Sequence, residues 1–141
     1  MPRKSTSNLE KELKNCKSLD SFLEQNQNEL STYSLTTHLQ SLISSHNMTK
    51  TDVVKASNLN EVYAYQLLSG ARHPSRDKLL CLCFAMKASL EETQFLLREG
   101  RFPSLYVRDQ RDSIIMYALS HGHGILQLNS DLYDHGEPLL E

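Results

Sequence analysis

Three groups of residues invite a chemical reading: a Cys-x-Cys pair, a set of histidines, and an alternating run of arginine and aspartate. Cys81 and Cys83 have the residue type for a soft metal or for redox exchange. On a helix, residues two apart point roughly 200° away from each other, so this pair does not chelate together. Both lie in the apolar run 79–86, where cysteine packs as a small hydrophobe, and a core role is expected. His121, His123 and His135 match no zinc-ligand spacing, and Gly122 and Gly124 loosen the turn between them. No metal site is expected. Arg108, Asp109, Arg111 and Asp112 read as the solvated start of a helix, with acids well placed for its dipole; a partner contact is the alternative. No nucleophile stands beside a base, and there is no phosphate loop or paired-carboxylate site. Neither a catalytic residue nor a cofactor is expected.

Basic and hydroxyl groups gather at two other places, Thr49 with Lys50 and then Arg72, His73, Ser75 and Arg76. Each group adjoins an expected helix start, where unpaired backbone N–H groups favour an anion.

The elements that hold these residues read as helices throughout. Residues 1–8 lack periodicity and are expected to be a disordered basic tail. Residues 9–17 and 18–28 are weakly amphipathic. A helix beginning at Thr36 or Thr37 carries Leu35, Leu39, Leu42 and Ile43 on one face. Thr49 with Asp52 forms an acidic capping box for the next helix, and Asn58 ends it. Asn60 opens a helix that Gly70 closes, and Ser75 opens one that is apolar on all sides and therefore central. Ser89 with Glu92 caps the next, ended by Gly100. Residues 111–121 and 125–135 form a last pair, followed by a tail at 138–141 that docks. No repeat, no low-complexity tract and no convincing strand is expected, and the fold class expected is all-α.

Composition bounds the rest. Hydrophobic residues make up 39% and charged residues 23%, the balance of an ordinary globular chain. No apolar run is long enough to span a membrane, and no apolar stretch follows the charged start as a signal peptide requires. Three cysteines without framework spacing fit a reduced, cytoplasmic setting. The net charge of -2 argues against a basic surface overall, so any grip on nucleic acid must be local.

Residues 48–70 resemble, without a gap, the helix-turn-helix of the Cro/phage-repressor (XRE-like) family. Thr49 matches its polar cap and Gly70 its closing glycine, while Val53-Val54 stands for the apolar-Ala pair, Asn58 for the turn glycine and Ala64 for the central β-branched residue. The continuation 71–80, with Pro74, is similar to the loop into the fourth helix, and the resemblance spans about residues 36–86. It implies a lambda-repressor-like core at 35–100, with an N-terminal helical extension at 9–34 and a C-terminal extension at 101–141 packed on it. It also implies double-stranded DNA as partner. Asn60, Glu61, Val62, Tyr63 and Gln66 would then meet base edges, with glutamine suited to adenine, valine to a thymine methyl and glutamate to cytosine. Thr49, Lys50, Arg72, His73, Ser75 and Arg76 would hold phosphates. A homodimer suits a palindromic operator. The sequence leaves a second reading open, a protein-interaction module that keeps the same helices as scaffold and binds its partner through Tyr63 and Tyr65.

Overall fold

The computed structural model describes residues 4–141, without the side chains of residues 28 and 31–34. The described residues form α1 (Thr6–Asn15), α2 (Leu19–Gln25), a 3-10 turn at Gln27–Glu29, α3 (Ser31–Ser45), α4 (Lys50–Ala56), α5 (Glu61–Ser69), α6 (Arg76–Met86), α7 (Leu90–Glu99), α8 (Gln110–Ser120) and α9 (Ile125–Asp134). No strand occurs among them, and none of these helices is long and apolar enough to cross a membrane.

Local chemistry starts most of these helices. Ser5, Ser18, Thr49, Asn60, Ser75, Ser89 and Asp109 each accept a hydrogen bond from the backbone N–H three residues on. Each such cap contributes about 1 kcal/mol by satisfying one orphan donor. Thr49–Asp52 and Ser89–Glu92 are complete capping boxes. The cap at Ser5 corrects one expectation, because α1 begins at Thr6, inside the stretch read as a tail. A second correction is that α3 begins at Ser31, so the boundary expected at residue 34 falls within a helix.

The core is built around α6, in which every residue from Leu79 to Met86 is buried. Cys81 and Cys83 are among them, so the expected core role holds. Burial pushes their thiols up to about 11 and about 12 respectively. α4 packs on α6, and α3 packs on α7. Gly100 ends α7 as expected, but it is Arg101 that takes the left-handed conformation, with φ 63°. Glycine at 100 gives space, since a Cβ there would lie 2.9 Å from ring carbons of Phe102 and the ring would have to shift.

From Arg76 onward the structure repeats a helix-pair unit, contrary to the expectation of no repeats. The backbone pattern of residues 76–105 recurs 35 residues on, at residues 111–140. Both halves run Arg-Asp, a helix, a left-handed residue (Lys87, φ 58°; Gly122, φ 71°), a second helix, another left-handed residue (Arg101, φ 63°; Gly136, φ 70°), proline and leucine. The hydrogen bonds repeat as well. Gln94 donates to the Leu105 carbonyl at 3.0 Å and accepts from its N–H at 2.8 Å. Asn129 does the same to Leu140, at 3.0 and 2.7 Å. Leu140 is thereby buried, and the expected docking of the tail holds. Side-chain identity is low between the halves (Cys81 matches Met116, Thr93 matches Leu128), which hides the repeat from a reading by composition.

A crossed pair of ion pairs joins the two halves. Arg76 binds Asp112 through two bonds, at 3.1 and 3.0 Å, and Arg111 binds Asp77 through two, at 3.0 and 3.1 Å. Each arginine also donates from Nε to its own half's proline carbonyl, Pro103 at 3.1 Å and Pro138 at 3.0 Å. Because the pairing is reciprocal, the halves are related by a pseudo-twofold axis rather than a translation. The helix contacts agree, α6 meeting α9 as α8 meets α7. The run Arg108–Asp112 is solvated only in part: Arg108 and Asp109 are exposed and Asp109 caps α8, as expected of a helix start, whereas Arg111 and Asp112 are spent on the joint between the halves.

Candidate nucleic-acid interface

The pair α4–α5 is joined by residues 57–60, a turn short enough to pack the two helices against each other. Its path depends on two polar residues. The Ser57 hydroxyl donates to the Val54 carbonyl at 2.8 Å and accepts from the Leu59 N–H, while Asn58 takes φ 61°. Asparagine tolerates that left-handed conformation better than most residues, which is why it can stand at the turn. Val53, Val54, Ala64, Leu67 and Leu68 are buried on the inner side. Tyr65 crosses to α4, its hydroxyl 3.0 Å from that of Thr51.

The outer face of α5 carries the residues expected to meet bases. Asn60, Glu61 and Val62 are exposed, Val62 to 65%. Tyr63 and Gln66 are half-buried, and Gln66 lies one turn beyond Val62. Asn60 spends its side-chain oxygen capping Tyr63 N–H, leaving its amide hydrogens for other partners.

The loop after α5 folds back along that face. Gly70 turns it with φ 86°, and Arg72 N–H donates to the Gln66 carbonyl at 3.2 Å. The Arg72 guanidinium then lies over the Tyr63 ring, 5.8 Å from its centre, which fixes a cation at the edge of the face. His73 stacks against Phe102 with ring centres 5.8 Å apart. Ser75 caps α6 but remains exposed, as do Thr49 and Lys50 at the start of α4. Besides Glu61, the start of α4 adds a second negative group. Asp52 is held below the ordinary carboxylate range by the backbone N–H of Thr49 and by its hydroxyl.

Arg76 belongs elsewhere. Its donors go to Asp112 and to the carbonyls of Pro103 and Ser104, and its side chain is only 23% exposed. A phosphate there would have to displace an internal ion pair, so Arg76 is a clamp between the halves. Sequence reasoning missed this because the partner stands 36 residues away; the repeated Arg-Asp dipeptide was the available signal.

The histidines do not converge with other ligands. His121 stacks on Tyr117 with centres 4.0 Å apart, and no group of three metal-capable side chains occurs among the described residues. In comparisons with known proteins, the chain matches no family model, no curated protein and no solved structure. Nothing in them identifies an XRE-like family.

Proposed function

We propose that the chain is a sequence-specific DNA-binding regulator that places α5 in the major groove of double-stranded DNA. The observation that supports this best is the two-sidedness of α5. Its inner residues are buried, with α5 packed on α4 and α3, while Val62 and Glu61 face outward with Arg72 held beside them by Tyr63. An exposed aliphatic next to amide and carboxylate groups suits base edges, where valine packs on a thymine methyl and Gln66 bonds adenine. Thr49, Lys50, Arg72, His73 and Ser75 contribute the phosphate contacts, and Arg76 is omitted from the set. Binding to a palindromic operator would use two copies, one for each half-site.

The test is retention of the purified protein on a random double-stranded DNA pool across a salt series. Arg72→Ala is expected to weaken binding on all sequences and to lower the salt slope by about 1. Gln66→Ala is expected to change preference at a single base position. Absence of salt-sensitive retention at low ionic strength would overturn the reading.

A second reading, a protein-interaction module, is favoured by one observation: residues 61–69 hold no lysine or arginine and one glutamate. In that case Tyr63→Ala should abolish capture of a protein partner.

A further inference from the structure

The pseudo-twofold axis gives the molecule two equivalent faces, and the rest of the chain covers one of them. On the first half, α3 lies along α7 and α4 along α6, and Leu79, Leu82 and Leu96 are fully buried. The equivalent positions on the second half are Ile114, Tyr117 and Asp131. With Ser113 and His135 these line an open groove of about 340 Å³ between α8 and α9. Tyr117 remains 56% exposed there, where Leu82 is 0% exposed.

The chemistry of the second face differs in a definite direction. On the first half, Glu99 is 8% exposed and lies 3.9 Å from His38, a basic residue of the covering helix α3. Its counterpart Asp134 keeps the acid but is exposed, and Asp131, one turn earlier, replaces the buried Leu96. From residue 113 to residue 141 there is no lysine or arginine, while Asp131, Asp134, Glu137 and Glu141 are acidic. The groove thus offers an aromatic and an aliphatic side chain with Asp131 on its wall and Asp134 one turn further along α9.

We infer that this groove is a docking site for a helix of another protein, one that presents lysine or arginine within an apolar ridge. The covered face shows that this repeat accepts helices laid along α6 and α7, and the uncovered face has the same frame. Its charge selects the occupant. A second copy docking face to face would set Asp131 and Asp134 against their own counterparts, and like charges at close range oppose that arrangement. The α3 helix of the chain is already committed to the first half. A basic amphipathic helix would bury Tyr117 and Ile114 and neutralise both carboxylates, the helix-in-groove mode of recognition.

The experiment selects a displayed library of amphipathic helices, with charged positions randomised, against the full-length protein. Enriched helices are expected to carry lysine or arginine beside apolar residues at i, i+3 and i+4. They should lose at least about tenfold in affinity for Tyr117→Asp and for Asp131→Lys, substitutions at interface-centre positions. Circular dichroism should show both variants to be folded with native helix content, and Val62→Asp should bind the helices normally. Enriched helices without basic residues, binding indifferent to both variants, or a selection that yields no binder would each overturn the proposal. So would sedimentation showing a dimer that Tyr117→Asp converts to monomer, which would assign the face to a second copy.

Discussion

Arg72 and Arg76 stand four residues apart in one basic loop, and their surroundings give them opposite roles. Arg72 is exposed and leans on a tyrosine ring, so its removal should cost little stability while reducing DNA affinity as described. Arg76 is spent on Asp112, so its removal strands a largely buried carboxylate. Arg76→Ala should lower stability by about 3 kcal/mol, the lower end for a broken buried pair because the guanidinium keeps some water. Denaturant unfolding measures this, and the double change Arg76→Met with Asp112→Leu should recover much of the loss. The cysteines divide in the same way. Burial raises Cys81 to about 11 and Cys83 to about 12, so at pH 8 their reactive thiolates are scarce as well as inaccessible. Iodoacetamide should label the partly exposed Cys16 alone in the native protein, and all three after denaturation, as read by mass spectrometry.

At the scale of elements, the starts of α4 to α7 were legible because a cap needs only a serine, threonine, asparagine or aspartate at one position. Ser75, Ser89 and Asn60 act within three residues of themselves, and no distant contact is needed to read them. Helix ends were harder. Gly70 was legible as an end, and its φ of 86° explains it; Gly70→Ala would also bring a Cβ to 3.0 Å from the Thr36 hydroxyl. That substitution should cost roughly 1–2 kcal/mol from the left-handed conformation alone, seen as a lower melting temperature. Gly100 looked similar in sequence, yet it serves the close approach of Phe102 and leaves the left-handed turn to Arg101. A glycine marks a special position without saying whether the reason is backbone angle or space.

For the whole molecule, stability should fall in acid through Glu92, which joins the end of α3 to the start of α7. Burial alone would raise its pKa, but the Ser89 N–H and His46, at 3.0 Å, outweigh that and hold it below the ordinary 4.5. A depressed folded-state pKa gives stability that is present above 4.5 and lost as pH falls through the lower folded value. Glu92→Gln should therefore flatten the dependence of unfolding free energy on pH below about 4.5, the side-chain reference for glutamate being near there. The all-helical class, the helix starts at Thr49, Asn60, Ser75 and Ser89, the central apolar helix and the outward residues of α5 were determined by the sequence itself. Each rests on periodicity or on bonds within a few residues, which any single chain displays. The duplication, the crossed arginine–aspartate clamp and the uncovered face of the second half were decided only by tertiary structure. Their contacts join residues about 35 apart, and it is the reciprocal geometry, not the residue types, that turns two Arg-Asp dipeptides into a twofold joint.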